Sequence, residues 1–242
     1  MSPPEIRRAA DRALIRTDWL ESWCSFNFGS DDRPDRERFG ALRVLNEDWI
    51  EPSSGFPMHP HSNVEILLMP LQAVTAHEDS LGNRLHVRAD ELLAIRAGSG
   101  IRHSQMNASQ AERDHHLQIW FLPRRKDVQP ALLHRRFTRE HRQDRWELWA
   151  SGYGEPGVPE IDSDARVYRA LLAAGIEFAA PSRNAHSAYL HVITGRVRLS
   201  VDGAAHDLKA GDALAWGSAG DLRVHALQPA ELCFVEQPPL AL

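Results

Sequence analysis

The sequence predicts an all-β protein, either a sandwich or a barrel. Short apolar and β-branched runs alternate with turn signals, and long helical periodicity is missing. The clearest strand carries Val197, Leu199 and Val201 at every second position, with polar residues between them. It runs into Asp202-Gly203, a dipeptide that strongly favours a two-residue hairpin turn. Such a pattern is typical of antiparallel sheets with one buried face.

Other segments extend the β pattern and divide the chain. Residues 117–122 form an apolar run that Pro123 stops, which indicates a largely buried strand. A second turn at 209–212 leads into the apolar run 213–216. Between Pro123 and Trp146 the chain is dense in charge, as expected of a solvated connector. We therefore expect two domains, residues 1–135 and 136–242.

The composition excludes several classes of protein. Of the 242 residues 43% are hydrophobic and 25% charged, as in an ordinary globular protein, and the formal net charge is -5. Without a broad basic face, direct nucleic-acid binding is not expected. The N-terminus lacks the apolar stretch of a secretory signal, and no segment is long and apolar enough for a membrane helix. The two cysteines make no disulfide framework, so we expect a cytoplasmic protein.

The spacing of three histidines predicts a metal site. His59 and His61 stand at i and i+2, so on a strand both side chains leave the same face. His103 and Gln105 repeat this spacing after the glycine-rich turn 98–100. Two such pairs on neighbouring strands of a barrel would converge on one interior point. Three neutral imidazoles and an oxygen donor suit iron, nickel, copper, manganese or zinc, with positions left open for a substrate.

The remaining histidines are not expected to hold metal. His115 and His116 are adjacent, so at most one enters a barrel, and we expect both at the surface, like His77. In the second half, His186 and His191 are five positions apart and would face opposite sides of a continuous strand. We therefore expect no metal site in the second half of the chain.

Several motifs carry a resemblance to a known family. The segment 56–61, followed by Glu65, resembles the first cupin motif in the form found in pirins, and the segment 97–107 resembles the second. The likeness covers about residues 6–236 and is more specific in the first half. Further segments that resemble pirins are 19–22, 26–29, 42–48, 79–83, 117–120 and 164–168.

The resemblance to pirins implies a fold and an activity. It implies a bicupin, in which two antiparallel jelly-roll β-barrels pack face to face, the first holding a metal and the second none. The metal implied is iron, hence Fe(II) here, held by His59, His61 and His103. Some bacterial pirins show quercetin 2,3-dioxygenase activity, which implies an aromatic flavonol and dioxygen as substrates. The mammalian pirin is a nuclear transcriptional co-regulator. We expect a monomer that acts away from membranes.

Two positions depart from the pirin pattern. Pirins have a glutamate two residues after the third histidine, where this chain has Gln105. A neutral amide compensates the charge of a metal ion less than a carboxylate does, and it removes a general base, which contributes about 10²–10⁴-fold to a rate. Glu65 is an alternative fourth ligand, or a partner that orients an imidazole. Ala73 replaces a glycine of the pattern and follows Pro70, which predicts an altered strand and turn near the site.

Three functions remain open at the level of sequence. The first is a metal-dependent oxidoreductase, a dioxygenase that cleaves flavonols such as quercetin, with Gln105 and Glu65 as the candidate catalytic groups. The second is a metal- or redox-sensing regulator that binds a protein partner and needs no base. The third is a metal-free cupin that binds a small apolar ligand. Metal content separates the third from the others, and flavonol-dependent oxygen uptake separates the first from the second.

Overall fold

The computed structural model describes residues 3–183, 185–217 and 220–239. These residues form strands and short 3-10 helices, and within these ranges no α-helix occurs. The strands, in chain order, are β1 (Glu5–Arg7), β2 (Ala13–Arg16), β3 (Leu20–Cys24), β4 (Leu42–Ile50), β5 (Gly55–His61), β6 (Glu65–Gln72), β7 (Val74–Asp79), β8 (Arg84–Arg88), β9 (Glu91–Arg96), β10 (Ile101–Asn107), β11 (Asp114–Phe121), β12 (Ala131–Arg136), β13 (Glu147–Ser151), β14 (Arg166–Leu172), β15 (Glu177–Ala179), β16 (Ser187–Thr194), β17 (Arg196–Val201), β18 (Ala204–Lys209), β19 (Ala213–Trp216), β20 (Leu222–Ala226) and β21 (Ala230–Gln237). The 3-10 helices are Ala9–Asp11, Pro34–Arg36 and Arg139–Arg142. The all-β prediction is confirmed.

The chain divides into two compact units. The N-terminal unit holds residues 12–137 and 161–163, and the C-terminal unit holds the described parts of 1–11, 138–160 and 164–242. The predicted division places residues 1–135 together, whereas the structure assigns the described residues 3–11 to the C-terminal unit. The reason is that β1 pairs with β19. This pairing joins residues far apart in sequence, and no local pattern announces it.

Each unit consists of two antiparallel sheets. In the N-terminal unit a seven-stranded sheet has the order β12-β9-β6-β11-β4-β3-β2, and a four-stranded sheet has the order β5-β10-β7-β8. In the C-terminal unit a six-stranded sheet has the order β1-β19-β16-β21-β14-β13, and a four-stranded sheet has the order β15-β20-β17-β18. The order of the larger sheets departs from the order in the chain, as in a jelly roll.

The predicted hairpin between β17 and β18 is present. Arg196 pairs with Lys209 and Val201 with Ala204, so only two residues form the turn. Both turn residues have positive φ, 47° at Asp202 and 81° at Gly203. This is the type I′ geometry that matches the twist of the flanking strands.

Ala73 forms the turn between β6 and β7, where the sequence predicts an altered strand and turn. Ala73 alone separates β6 from β7 and has φ of 62°, in the left-handed region that favours glycine. The pairing of β6 with β11 shifts register between His115 and His116, opposite Gln72 and Pro70. Leu71 is thereby left out of the register as a bulge, which suits a strand that contains a proline.

A helix able to cross a membrane is absent from the described ranges.

Candidate metal centre

Two neighbouring strands of the N-terminal unit carry the three predicted histidines. His59 and His61 lie on β5, and His103 lies on β10 directly opposite His59. Because β5 holds its histidines at alternate positions, both rings turn toward His103. The register between the strands shifts after His103, so the next inward residue, Gln105, lies opposite Phe56. Because of this bulge, Gln105 does not continue the register in which His103 pairs with His59.

The three imidazole rings converge. The ring centroids are 4.8 Å apart for His59 and His61, 4.5 Å for His59 and His103, and 5.0 Å for His61 and His103. One ring nitrogen from each histidine lies within 4.8 Å of the others. With metal–nitrogen bonds of about 2.0–2.1 Å, imidazoles that share one ion have centroids roughly 4.5–5 Å apart. The rings are thus spaced for a common ion.

The electrostatics of the group suit a metal. Burial, with a smaller effect of His59, lowers the pKa of His61 to about 4. Burial and the neighbouring histidines lower the pKa of His103 to about 3. Both rings are therefore neutral at pH 7, as metal ligands must be. Nε2 of His61 and both ring nitrogens of His103 are buried and make no hydrogen bond within the described residues. Buried polar atoms rarely stay unpaired, so these nitrogens fit a metal ion as their partner.

His59 is oriented by its own strand. Its Nδ1 lies 2.8 Å from the carbonyl oxygen of Pro57. The carbonyl can only accept, so Nδ1 carries a proton, and in the neutral ring Nε2 is the nitrogen that keeps the lone pair. This is the tautomer that a metal ligand with an outer hydrogen bond adopts.

Aromatic side chains surround the histidines. Trp120 contacts His61 with centroids 4.9 Å apart, and Phe28 packs edge-on against Trp120 at 5.5 Å. On the other side, Phe56 lies 6.2 Å from His59. A surface cavity of about 370 Å³ opens beside His61 and is also lined by Ile101 and Arg102. A flat apolar ligand would thus find aromatic faces beside the histidine group.

Gln105 is buried, 2% exposed, and its amide is held by two other residues. Its Oε1 accepts a hydrogen bond of 3.1 Å from Nε2 of Gln118, and its Nε2 lies 2.9 Å from Nε2 of His116. The ligand role of Gln105 stays a prediction.

His116 lies at the centre of a buried polar network, and the expectation that it is a surface residue is wrong. Its relative exposure is 0%. Nδ1 lies 2.9 Å from a carboxylate oxygen of Asp114, and Nε2 lies 3.4 Å from Asp48. Burial lowers the pKa of His116, but Asp114 and Asp48 outweigh it and raise the pKa to about 10.

Glu65 lies on β6 and is engaged elsewhere. One carboxylate oxygen accepts a hydrogen bond of 3.0 Å from the backbone N–H of Asp162, and the other lies 3.3 Å from Nε of Arg96. Burial raises the pKa of Glu65 to about 7, against the lowering effects of Asp162 and Arg96. Glu65 is not part of the group of three histidines. Its predicted role as ligand or imidazole partner stays a prediction.

The second expectation that the structure overturns concerns His77. Its relative exposure is 1%, and its Nε2 lies 3.0 Å from a carboxylate oxygen of Asp79. Thr75, His77 and Asp79 share one face of β7, and all three are buried. Alternate polar residues resemble an exposed strand face, and only the position of β7 beside β10 shows that this face points inward.

The chain is similar to known proteins over most of its length. A family model described as Pirin matches residues 7–121, and a model described as the quercetinase C-terminal cupin domain matches residues 148–236. The chain is 32% identical to a quercetin 2,3-dioxygenase of Escherichia coli over 97% of this chain and 99% of that protein. It is 34% identical to a pirin-like protein of Caulobacter vibrioides over 90% and 92%.

A solved structure extends the likeness to the whole fold. The bacterial pirin YhhW of Escherichia coli, in complex with nickel(II), superposes with a TM-score of 0.90 at 32% identity. The match covers 98% of this chain and 100% of that one. The prediction of a bicupin built from two antiparallel jelly-roll domains is confirmed.

Proposed function

Because the chain belongs to the pirin family, we propose that it is a metal-dependent dioxygenase that acts on flavonols such as quercetin. The observation that carries the proposal is the convergence of three imidazoles, in which Nε2 of His61 and both ring nitrogens of His103 are buried and make no hydrogen bond within the described residues. Relatives of this chain are named quercetin 2,3-dioxygenase. We propose Fe(II) as the ion, held by His59, His61 and His103, with nickel as the ion that a related structure contains.

The ion and the side chains around it would have different roles in the reaction. When bound, the metal would polarise the 3-hydroxyl and 4-carbonyl oxygens of the flavonol and support the reaction with dioxygen. Trp120 and Phe56 offer faces that orient the flat substrate and exclude water from the histidine group. The proton of the 3-hydroxyl has no carboxylate acceptor at position 105, since the amide of Gln105 cannot take it. We therefore propose a slow enzyme of the family.

The test is metal content followed by quercetin-dependent oxygen uptake. Protein purified without added metal is analysed for metal, then loaded with Fe(II) or Ni(II), and oxygen consumption is recorded with quercetin. Gln105→Glu should raise metal occupancy and should raise turnover about tenfold, because it supplies an anionic ligand and a base. We expect a gain below the full range of general-base catalysis, since His116 competes with the ion for the new carboxylate.

Glu65→Gln is the matched control, since it makes the opposite change from carboxylate to amide in the same unit. Glu65 is bonded to Arg96 and Asp162, so its loss should leave metal occupancy unchanged. If Glu65→Gln loses the metal and Gln105→Glu gains nothing, Glu65 is the fourth ligand. If metal binds but neither the wild type nor Gln105→Glu consumes oxygen, the enzyme proposal fails in favour of a metal-binding regulator.

A further inference from the structure

A histidine outside the group of three lies beside its most buried member. His77 on β7 and His103 on β10 have ring centroids 5.4 Å apart, with an angle of 50° between the ring planes. Both side chains are buried, each 1% exposed. Strand β10 lies between β5 and β7, so His77 approaches His103 from the side opposite to His59.

The proton on His77 is placed by Asp79. The carboxylate of Asp79 accepts hydrogen bonds from the backbone N–H groups of Leu81 and Asn83, and from the side-chain amide of Asn83. It also lies 3.0 Å from Nε2 of His77. A carboxylate only accepts, so Nε2 of His77 carries a proton, and in the neutral ring Nδ1 then keeps a lone pair. That Nδ1 is buried and makes no hydrogen bond within the described residues.

His103 has the complementary need. A neutral imidazole has one lone pair and one N–H, and both ring nitrogens of His103 are buried without a partner within the described residues. A metal takes the lone pair and leaves the N–H inside the protein with no acceptor. Leaving a buried donor unpaired is costly. The nearby lone pair is that of His77, and a direct N–H···N bond between two imidazoles places their centroids roughly 5 Å apart, close to the spacing here.

We propose that His77 is a positioning residue for the metal ligand His103, and that Asp79, His77 and His103 form a chain of hydrogen bonds ending at the ion. Asp79 fixes the tautomer of His77, whose Nδ1 then accepts the N–H of His103. This bond sets the ring angle of His103 and makes its ligating nitrogen more basic. The inference rests on the metal-binding part of the proposed function and not on the flavonol chemistry.

The test uses the full chain with nitrogen-15-labelled histidines, loaded with Zn(II), which is diamagnetic. The wild type should show a ring N–H signal of His103 that exchanges slowly with water. The variant His77→Phe should lose that signal, and its affinity for Zn(II), measured by competition with a chelator, should fall about 10–100-fold. His77→Gln supplies a carboxamide oxygen as acceptor and should recover part of both. The control is His86→Phe, an exposed histidine on β8 opposite Ala76, which should change neither.

The outcomes separate this inference from the proposed function. A His77→Phe protein that keeps both the His103 signal and wild-type Zn(II) affinity overturns the inference and leaves the metal site intact. A nitrogen-15 chemical shift typical of zinc coordination at Nδ1 of His77 would also overturn the inference, because His77 would then be a ligand. Failure of the wild type to bind any metal overturns both proposals. If His77→Phe fails to fold, the His103 N–H signal and the Zn(II) affinity are measured on His77→Gln and on Asp79→Asn instead.

Discussion

The four-stranded sheets of the two units have the same construction and opposite interiors. In the N-terminal unit the order is β5-β10-β7-β8, and in the C-terminal unit it is β15-β20-β17-β18. In each sheet the first strand of a hairpin, β7 or β17, pairs with a strand later in the chain, β10 or β20. The other edge of that later strand pairs with a strand that precedes the hairpin, β5 or β15. Apart from Ile101, the inward residues of β7 and β10 are polar, whereas those of β17 and β20 are apolar. These residues are Thr75, His77, Asp79, His103, Gln105 and Asn107 against Val197, Leu199, Val201, Leu222, Val224 and Ala226.

The difference teaches that the sheet order leaves the interior free to vary. In the C-terminal unit the inward side chains of β17 and β20 join an apolar core with Trp216 and Phe234, and burying them stabilises the unit at about 25 cal/mol per Å². In the N-terminal unit the same layer holds His77 and His103, whose burial costs free energy unless a metal or a hydrogen bond is the partner. The inward layer of one unit is apolar, whereas that of the other carries buried polar side chains that need partners.

The largest effect is expected from making the N-terminal unit resemble the C-terminal one. His103→Val removes one of three ligands, and since whole zinc sites are worth roughly 10–16 kcal/mol, affinity for Zn(II) should fall about a thousandfold. In the metal-free state, the free energy of unfolding of the variant, measured with urea, should exceed that of the wild type by about 1 kcal/mol, because a buried imidazole without a hydrogen bond is removed. A loss of stability in the metal-free state would show that the proposed hydrogen bond from His103 to His77 already forms without the metal.

The reverse exchange should destabilise without creating a site. Val224 is fully buried on β20 within the apolar core of the C-terminal unit. Val224→His buries a polar ring with no acceptor nearby and should lower the free energy of unfolding by about 2–4 kcal/mol. Urea unfolding measures it, with Arg223→His at the neighbouring exposed position as the control. Zinc binding gained by Val224→His would contradict the comparison.

The free energy of unfolding of the metal-free protein should depend on pH through the lowered pKa values of His61 and His103. The folded pKa is about 4 for His61 and about 3 for His103, below the ordinary 6.5, so between these values the unfolded state binds more protons. Stability should therefore fall as pH drops from 6.5 toward 4, by at most about 1.4 kcal/mol per pH unit for each group. His103→Val should flatten this slope. An unchanged slope in His103→Val would mean that other groups cause it.

The smallest effect concerns a turn that both units share. One residue joins β6 to β7 and β16 to β17, Ala73 with φ of 62° and Gly195 with φ of 81°. Ala73→Gly should relieve backbone strain and raise the free energy of unfolding by about 0.5–1 kcal/mol, measured by urea unfolding. Gly195→Ala is the opposing control. Its added methyl group would lie 2.0 Å from the carbonyl oxygen of Pro229, so it should destabilise the protein by well over 1 kcal/mol. A destabilised Ala73→Gly would show that the methyl group of Ala73 packs usefully.

Much of the fold and the histidine group could be predicted because their signals are local. Alternation at 197, 199 and 201 and the dipeptide Asp202-Gly203 fix strands and turn within a dozen residues. His59 and His61 share a face by the period of a strand. His103 could be added because a second inward pair follows a glycine-rich turn. Each of these inferences needs only the geometry of one or two neighbouring strands.

The sequence by itself therefore determined the all-β class and the three histidines that lie together. Only the tertiary structure decided what surrounds them. The burial of His77 and His116, the bonds that hold Gln105, and the engagement of Glu65 with Asp162 depend on which strands become neighbours. A residue two positions along a strand always shares a face, but whether that face meets water or another sheet is set by contacts between residues distant in the chain. The register shift after His103 adds to this, because one bulged residue changes what Gln105 meets.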